Sequence, residues 1–335
     1  MNREAEPSVT IVMVPRERFG PTLGSLDRLY AATPPPFRLV CVDGGSPPSL
    51  AKALARDSLA RGFRLVRTER YLTPNQARRL GLREASSRYV VFLDNDVLVT
   101  PGWLDALLRC AEQTGADLVG PLYCVGEREL EMVHMAGGIA RIETHDGRRV
   151  LREEHRWAGR RLSDVRQQLR REPTELLEFH CMLVRAEVFE RVGPLDTRLL
   201  CSAEHIDLCL AVRQTGGAVY FEPEAVVTYV PPPPLPWSDA AYFARRWSEA
   251  WNQATRRRFR EKWALGSDDA CLREGTRWLR SHRRLLIEPL LRPLRVAFPG
   301  RVGRALQLGL AAAEIATNWL LIRAPAALEE DGSAR

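Results

Sequence analysis

The triplet Asp94-Asn95-Asp96 directly follows a run of bulky apolar residues, 89–93. Two carboxylates two residues apart, just past a buried strand, can address one hard cation from a turn. Magnesium or manganese suits such oxygen ligands and keeps positions open for diphosphate oxygens. A cation held there neutralises charge on a departing phosphate as a Lewis acid. Alone, D-x-D is a weak signal, because a solvated turn with a helix-capping Asp has the same letters.

Other chemistry-bearing residues sit at comparable places. Asp43 ends the apolar run 37–42 and precedes Gly44-Gly45-Ser46-Pro47, and Pro15-Arg16-Glu17 follows the apolar run Val9–Val14. Arg78 lies in Asn75-Gln76-Ala77-Arg78-Arg79-Leu80-Gly81, and Glu204-His205-Ile206-Asp207-Leu208 is an acidic helix start. Each has a plainer reading, as a turn former, a solvated arginine or a helix cap. His134, His155 and His180 are candidates for acceptor or metal contact, against the commoner fate of a lone histidine as a structural hydrogen bonder. Cys181 and Met182 read as packing residues.

The elements that must position these residues alternate. Strand-like runs at 9–14, 37–42, 63–67 and 89–93 are interleaved with helical patterns at 23–30, 50–61, 75–86 and 103–114, with Ser49 available to cap the second helix. This spacing predicts an α/β chain with one Rossmann-type, mostly parallel sheet covered by helices, whose ligands gather at the carboxyl ends of the strands. Both Asp43 and Asp94 fall at such ends. From 126 to 173 the alternation stops, which reads as an insertion flanking the acceptor side. A block at 176–184 follows, then helices at 186–192 and 202–215 and two short strands, 218–222 and 226–230. Pro231-Pro232-Pro233-Pro234 marks a stiff link. Beyond it, 239–263 reads as one basic helix, and helices broken at Pro289, Pro293 and Pro299 continue to about 322. The organisation predicted is a catalytic domain over 1–238 and a basic helical region over 239–335.

Taken together, Asp43, the 75–81 segment, the D-N-D turn and Glu204-His205-Ile206-Asp207-Leu208 stand in the order and spacing of family 2 glycosyltransferases of the GT-A fold, which the chain resembles over about 9–263. Cys181-Met182-Leu183-Val184-Arg185 with Phe189, Gly193 and Asp196 looks like that family's acceptor-side segment, and Arg258-Phe259 to Lys262-Trp263 like its ending. The resemblance implies a nucleoside-diphosphate sugar donor, UDP by family habit, and a glycan or lipid-linked hydroxyl acceptor. It places Pro15 and Asp43 at the base, with Arg16 and Glu17 beside them. Arg78 would lie near the uridine or diphosphate, and Asp94, Asn95 and Asp96 at ribose and metal.

The resemblance departs at three points. Where the family usually has Glu-Asp-x-Asp-Leu, with the second residue as the base of an inverting transfer, this chain has His205. Glu204, His205 and Asp207 are all candidates for the base. A helix advances about 100° per residue, so Glu204 and Asp207 share a face and Glu204 is favoured. Family members often carry a later His as third metal ligand, but Tyr229 and Val230 stand there, leaving Asp94, Asp96, diphosphate and water to hold the ion. Arg79 replaces a frequent Asn.

Bulk properties bound the rest. With 335 residues, 45% hydrophobic and 27% charged, the chain is of ordinary globular make-up. Its net charge of +7 is concentrated: residues 245–295 hold 14 basic and 6 acidic side chains. Such a tail suits anionic lipid headgroups or a phosphorylated acceptor, not a nucleic-acid face over the whole chain. Seven scattered cysteines without a C-x-x-C pair suggest neither zinc site nor disulfide framework. The start of the chain has no signal-like core, so a cytoplasmic location, peripheral at the inner membrane face, is expected. The stretch 305–322 is apolar but interrupted by Glu314 and Asn318, and reads as packed or interfacial. The rival readings are a nucleotidyltransferase, disfavoured by only one glycine in 15–20, and a non-catalytic sugar-binding relative.

Overall fold

Short unbroken apolar runs become the strands of one sheet, and the amphipathic stretches between them become its covering helices. The computed structural model describes residues 8–126, 132–230, 235–267 and 269–322. The predicted N-terminal signal-free start and the tetraproline link lie outside these. Two units divide the chain: Met1–Glu143, Leu151–Asp196 and Glu204–Pro231 make the first, and Thr144–Val150, Thr197–Ala203 and Pro232–Arg335 the second.

The first unit begins β1 (Val9–Val14), α1 (Thr22–Ala32), β2 (Arg38–Gly44), α2 (Pro48–Arg61), β3 (Arg64–Thr68), α3 (Pro74–Arg83), β4 (Tyr89–Asp94), β5 (Val97–Val99) and α4 (Trp103–Thr114). It continues with β6 (Leu118–Val125), β7 (Met132–Met135), the hairpin β8 (Gly138–His145) and β9 (Arg148–His155), and α5 (Leu162–Val165). Last come β10 (Glu172–Pro173), β11 (Cys181–Arg185), α6 (Val188–Val192), α7 (Glu204–Gln214) and β12 (Val219–Tyr229). The sheet order is β10-β12-β6-β11-β4-β1-β2-β3, with β5 on β12 and β7 on β6. Strands β4, β1, β2 and β3 are parallel, whereas β11 runs antiparallel between β4 and β6.

Several local expectations shift. Ser49 does not cap α2; Pro47 takes the N-cap and Pro48 the first turn, where a missing N–H costs nothing. Thr73 caps α3 in a reciprocal box with Gln76. The segment 126–173 contains β7, the β8–β9 hairpin, α5 and β10. The two short strands expected at 218–230 are one strand, β12, whose register against β6 shifts between Glu222 and Val226. β6 has no counterpart among the strands expected from the sequence. Pro121 pairs at that irregularity, where proline is tolerated. A Cβ on Gly120 would meet Leu177 at 2.3 Å.

One core packs α3, α6 and α7 on alternate residues of the strands: Val12 and Val14, Val40 and Val42, Val90 and Phe92, Met182 and Val184. Gly81 lets α3 lie directly on β1, since a Cβ there would stand 2.2 Å from Val12 Cγ1.

The second unit contains α8 (Trp237–Arg246), α9 (Glu249–Trp263), α10 (Ala270–Arg283), α11 (Glu288–Ala297) and α12 (Arg301–Leu321). The single basic helix expected at 239–263 is thus two, because Ser248 caps a new start with its side chain accepting from Trp251 N. Pro293 lies inside α11 and does not break it. Leu200, Cys201, Phe243, Trp247, Trp251 and Leu279 form the core. Glu249 accepts from Arg280 and Arg283, Arg283 Nε donates to Glu314 at 2.5 Å, and Asn318 Nδ2 donates to Ala244 O at 3.1 Å. The two polar residues that interrupt the 305–322 stretch are therefore the ones that tie α12 down. No helix of the described residues is long and apolar enough to cross a membrane.

Candidate active site

β4 delivers the triplet. Val14 and Asp94 are register partners at the ends of β1 and β4, so the loops leaving both strands start side by side. Asn95 stitches them together: its Oδ1 accepts from Arg16 N at 3.0 Å, and its Nδ2 donates to Arg18 O at 2.8 Å and Thr22 Oγ1 at 2.7 Å. The middle letter of D-N-D thus holds the 15–18 loop in place.

Asp96 faces that loop. Arg16 Nε donates to Asp96 Oδ2 at 3.0 Å and Arg16 Nη2 to Glu17 Oε1 at 2.6 Å. Arg18 Nη2 reaches Val230 O at 2.5 Å, and the Arg16 guanidinium stacks 4.2 Å over the Tyr229 ring. Asp96 Oδ1 is buried with no hydrogen-bond partner among the described residues. Burial, with Glu17 and Asp94 adding to it, raises the Asp96 carboxyl above its ordinary value against the pull of Arg16 and Arg18.

Asp94 is bracketed by Arg78 and His180. Arg78 Nη2 donates to Asp94 Oδ1 at 3.2 Å, and His180 Nδ1 lies 3.1 Å from Asp94 Oδ2. Burial alone would raise this carboxyl; His180 and Arg78 outweigh it and lower it. Arg78 is buried, stacked 3.9 Å over Phe179, and so is not the solvated helix residue of the plainer reading.

His180 continues into a second group. Its Nε2 lies 3.2 Å from Glu178 Oε2, which His134 Nε2 approaches at 2.8 Å, and His155 Nε2 is 3.8 Å from Glu178 Oε1. Burial works against charge on Glu178, but the imidazoles hold it well below the usual carboxylate range. Burial likewise disfavours charged His155, yet Glu153 and Glu178 carry it up to about 9.

Asp43 lines a narrow cleft with Pro15, Phe19 and Asn95. Its Oδ1 accepts from Ser46 N at 2.9 Å, its Oδ2 from Ser46 Oγ at 2.8 Å, and Arg67 Nη1 also donates to Oδ2. At the start of α7, Glu204 and Asp207 are buried and His205 is half-buried. His205 Nε2 is buried with no hydrogen-bond partner among the described residues. Burial lowers its pKa, against the opposing fields of Glu178, Glu153 and Glu204.

Ligand atoms of Asp94, Asp96 and His180 lie within 4.8 Å of one another. Two carboxylates and an imidazole, with a buried partnerless oxygen on Asp96, fit a divalent cation. His180 immediately precedes β11, and its ring stacks 5.0 Å from that of Tyr229 at 11°. Sequence reasoning had His180 among its candidates for acceptor or metal contact but no pairing with Asp94 in particular, and it missed Arg67, Phe179 and Glu178. No spacing rule could supply the antiparallel β4–β11 register that aligns them.

Residues 10–193 match the family model for glycosyl transferase family 2, which ends before α7. The pre-mycofactocin glycosyltransferase of Mycobacterium tuberculosis is 28% identical over 156 residues, 47% of this chain and 30% of that protein. The chain thus spans under a third of the relative's length. Among solved structures, GalNAc-T7 with UDP, GalNAc and Mn2+ has a TM-score of 0.53 at 18% identity, covering 88% of this chain and 59% of that one. Mannosyltransferase PcManGT from Pyrobaculum calidifontis in complex with GDP-Man and Mn2+ has a TM-score of 0.49 at 16% identity, covering 92% and 81%. A strand-end D-N-D turn on a helix-covered, mostly parallel sheet is the setting in which that family match falls, and the chain belongs to glycosyl transferase family 2, as a glycosyltransferase of the GT-A fold.

Proposed function

We propose that this glycosyltransferase moves a hexose or related sugar from a nucleoside diphosphate, UDP by family habit, to a hydroxyl of a glycan or lipid-linked acceptor, with inversion. The carrying observation is the buried, partnerless Asp96 Oδ1 beside Asp94 and His180. These three side chains would hold Mg2+ or Mn2+, which when bound supplies Lewis-acid stabilisation of the leaving diphosphate. Pro15 and Asp43, side by side at the ends of β1 and β2, would take the base as the family resemblance implies, with Arg16 and Glu17 on the loop that Asn95 holds in place. Arg78, held between Asp94 and Phe179, offers a fixed positive charge to the diphosphate.

The first turn of α7 supplies the base. Helix geometry alone favours Glu204, with Asp207 on its face. Burial favours the neutral form of His205, an imidazole able to take a proton at neutral pH, and on that ground we read His205 rather than Glu204 as the base. In this reading Nε2 takes the proton of the acceptor hydroxyl as its oxygen bonds to the anomeric carbon. The bond from that carbon to the diphosphate oxygen breaks on the opposite face, and the electron pair leaves with the diphosphate.

The family match leaves no room for the nucleotidyltransferase reading. A panel of nucleotide sugars with Mn2+ tests the rest: wild type hydrolyses or transfers at least one, and Asp96→Ala abolishes turnover. Binding without turnover for every donor would assign the chain to the non-catalytic, sugar-binding class. A role in polysaccharide or glycolipid assembly on the cytoplasmic face of a membrane accords with such an acceptor.

A further inference from the structure

Large hydrophobic side chains left in water are not scattered over this chain. Of those exposed among the described residues, eight fall between positions 290 and 320, on α11, α12 and their connection. Val296 is 81% exposed, Leu308 64% and Trp319 55%. In α12, Gly303, Ala311 and Asn318 are buried, on one narrow stripe of the helix, while Val302, Leu306, Leu308 and Leu320 point to solvent. So many large apolar side chains exposed within one short stretch of chain mark a contact with another apolar phase.

The same surface is strongly basic. Residues 284–304 contain Arg284, Arg292, Arg295, Arg301 and Arg304 against one acid, Glu288. Arg284, Arg295 and Arg304 line a groove of about 380 Å³ together with Leu285, Leu291 and Leu308. Glu288 pairs with Arg295, which leaves the lining positive.

We infer that the α11–α12 face docks on an anionic lipid bilayer. Its apolar side chains enter the boundary between headgroups and acyl chains, its guanidinium groups meet lipid phosphates, and the leucine-floored groove takes a headgroup phosphate. A second copy is a poorer occupant, because self-association would set five arginines against five. Spanning is excluded for the described helices by their hydropathy. Sequence charge alone pointed to the whole tail. The structure narrows it, since α9 buries Trp251, Phe259 and Trp263. This inference stands independently of the glycosyl-transfer reading.

The test is co-sedimentation of the full chain with vesicles of phosphatidylcholine containing about one-third phosphatidylglycerol, and with phosphatidylcholine alone. Wild type pellets with the anionic vesicles only. Arg284→Glu with Arg304→Glu, and separately Val302→Asp with Leu308→Asp, each weaken binding roughly tenfold or more while melting as wild type does. The exposure of Val302 and Leu308 makes that fold-neutral outcome the expected one. Wild type remaining in the supernatant, or both variants pelleting as wild type does, overturns the inference. So does a dimer in light scattering that the apolar variant dissolves, which would give the face to a second copy.

Discussion

His180 faces Asp94 across the β4–β11 ladder, with Nδ1 3.1 Å from Oδ2, one step past the paired residues Leu93 and Cys181. The start of an antiparallel strand is thereby laid against the end of a parallel one, which puts an imidazole where the D-N-D carboxylates converge. Tyr229, at the end of β12, stacks on the His180 ring.

Cation affinity should therefore depend on His180 and on the group behind it. In Mn2+ calorimetry, His180→Ala should bind at least about tenfold more weakly than wild type. Glu178→Gln, which removes the carboxylate orienting Nε2, should lose about 10–100-fold. Tyr229→His in the His180→Ala background should recover part of the loss. Unchanged Mn2+ affinity in His180→Ala would leave the cation to the two aspartates alone.

The assignment of the base turns on two neighbours. His205→Ala should lower kcat about 10²–10⁴-fold with little effect on KM, while Glu204→Gln stays within a few-fold of wild type. Burial holds His205 below its ordinary value of 6.5, so its basic form is present across neutral pH. The kcat profile should be level there and fall only on the acid side of 6.5. A collapse in Glu204→Gln with His205→Ala active reverses the roles.

How far the sequence carries these conclusions differs by element. The runs that became β1, β2 and β4 are apolar almost without alternation, which is the mark of strands covered on both faces, and α4 was legible to the residue. D-N-D and Asp43 were legible because they end such runs. β6 was not, since its Gly-Pro pair signals a turn locally while the packing of Leu177 and the β12 irregularity decide otherwise. His180 was legible only as a candidate for acceptor or metal contact, and its place beside Asp94 was illegible for a deeper reason: it follows from strand pairing between residues 86 apart, which no local pattern encodes. The field around His205 is of the same kind, set by Glu178 and Glu153 from other elements.

Gly81 offers a test of how tightly α3 is laid on the sheet. Gly81→Ala adds a methyl 2.2 Å from Val12 Cγ1 and should destabilise the protein by about 1–3 kcal/mol, despite the better helix propensity of alanine. Gly24→Ala, in α1 with nothing within 4 Å of the new methyl, should be neutral or stabilising in the same thermal melt. Equal melting temperatures for the two variants would mean that α3 can lift off β1 at little cost.

Glu249 makes the second unit acid-sensitive. Its carboxylate accepts from Arg280 Nε at 2.8 Å and from Arg283 Nη2 at 3.0 Å, and Arg283 is fully buried. Burial alone would raise its pKa, but hydrogen bonds from Arg280 and Arg283 outweigh this and lower it from the ordinary 4.5. A carboxyl depressed in the folded state stabilises fully above its unfolded value, and that stability drains away as the pH falls through the folded value. Glu249→Gln should thus cost about 2 kcal/mol at neutral pH. That is less than for a fully buried pair, because Arg280 is partly exposed and Arg283 keeps Glu314. In urea unfolding followed by the fluorescence of buried Trp247 and Trp251, the gap between wild type and variant should narrow as the pH drops below 4.5. A gap that stays constant through that range would mean the loss comes from packing and not from the carboxylate's charge.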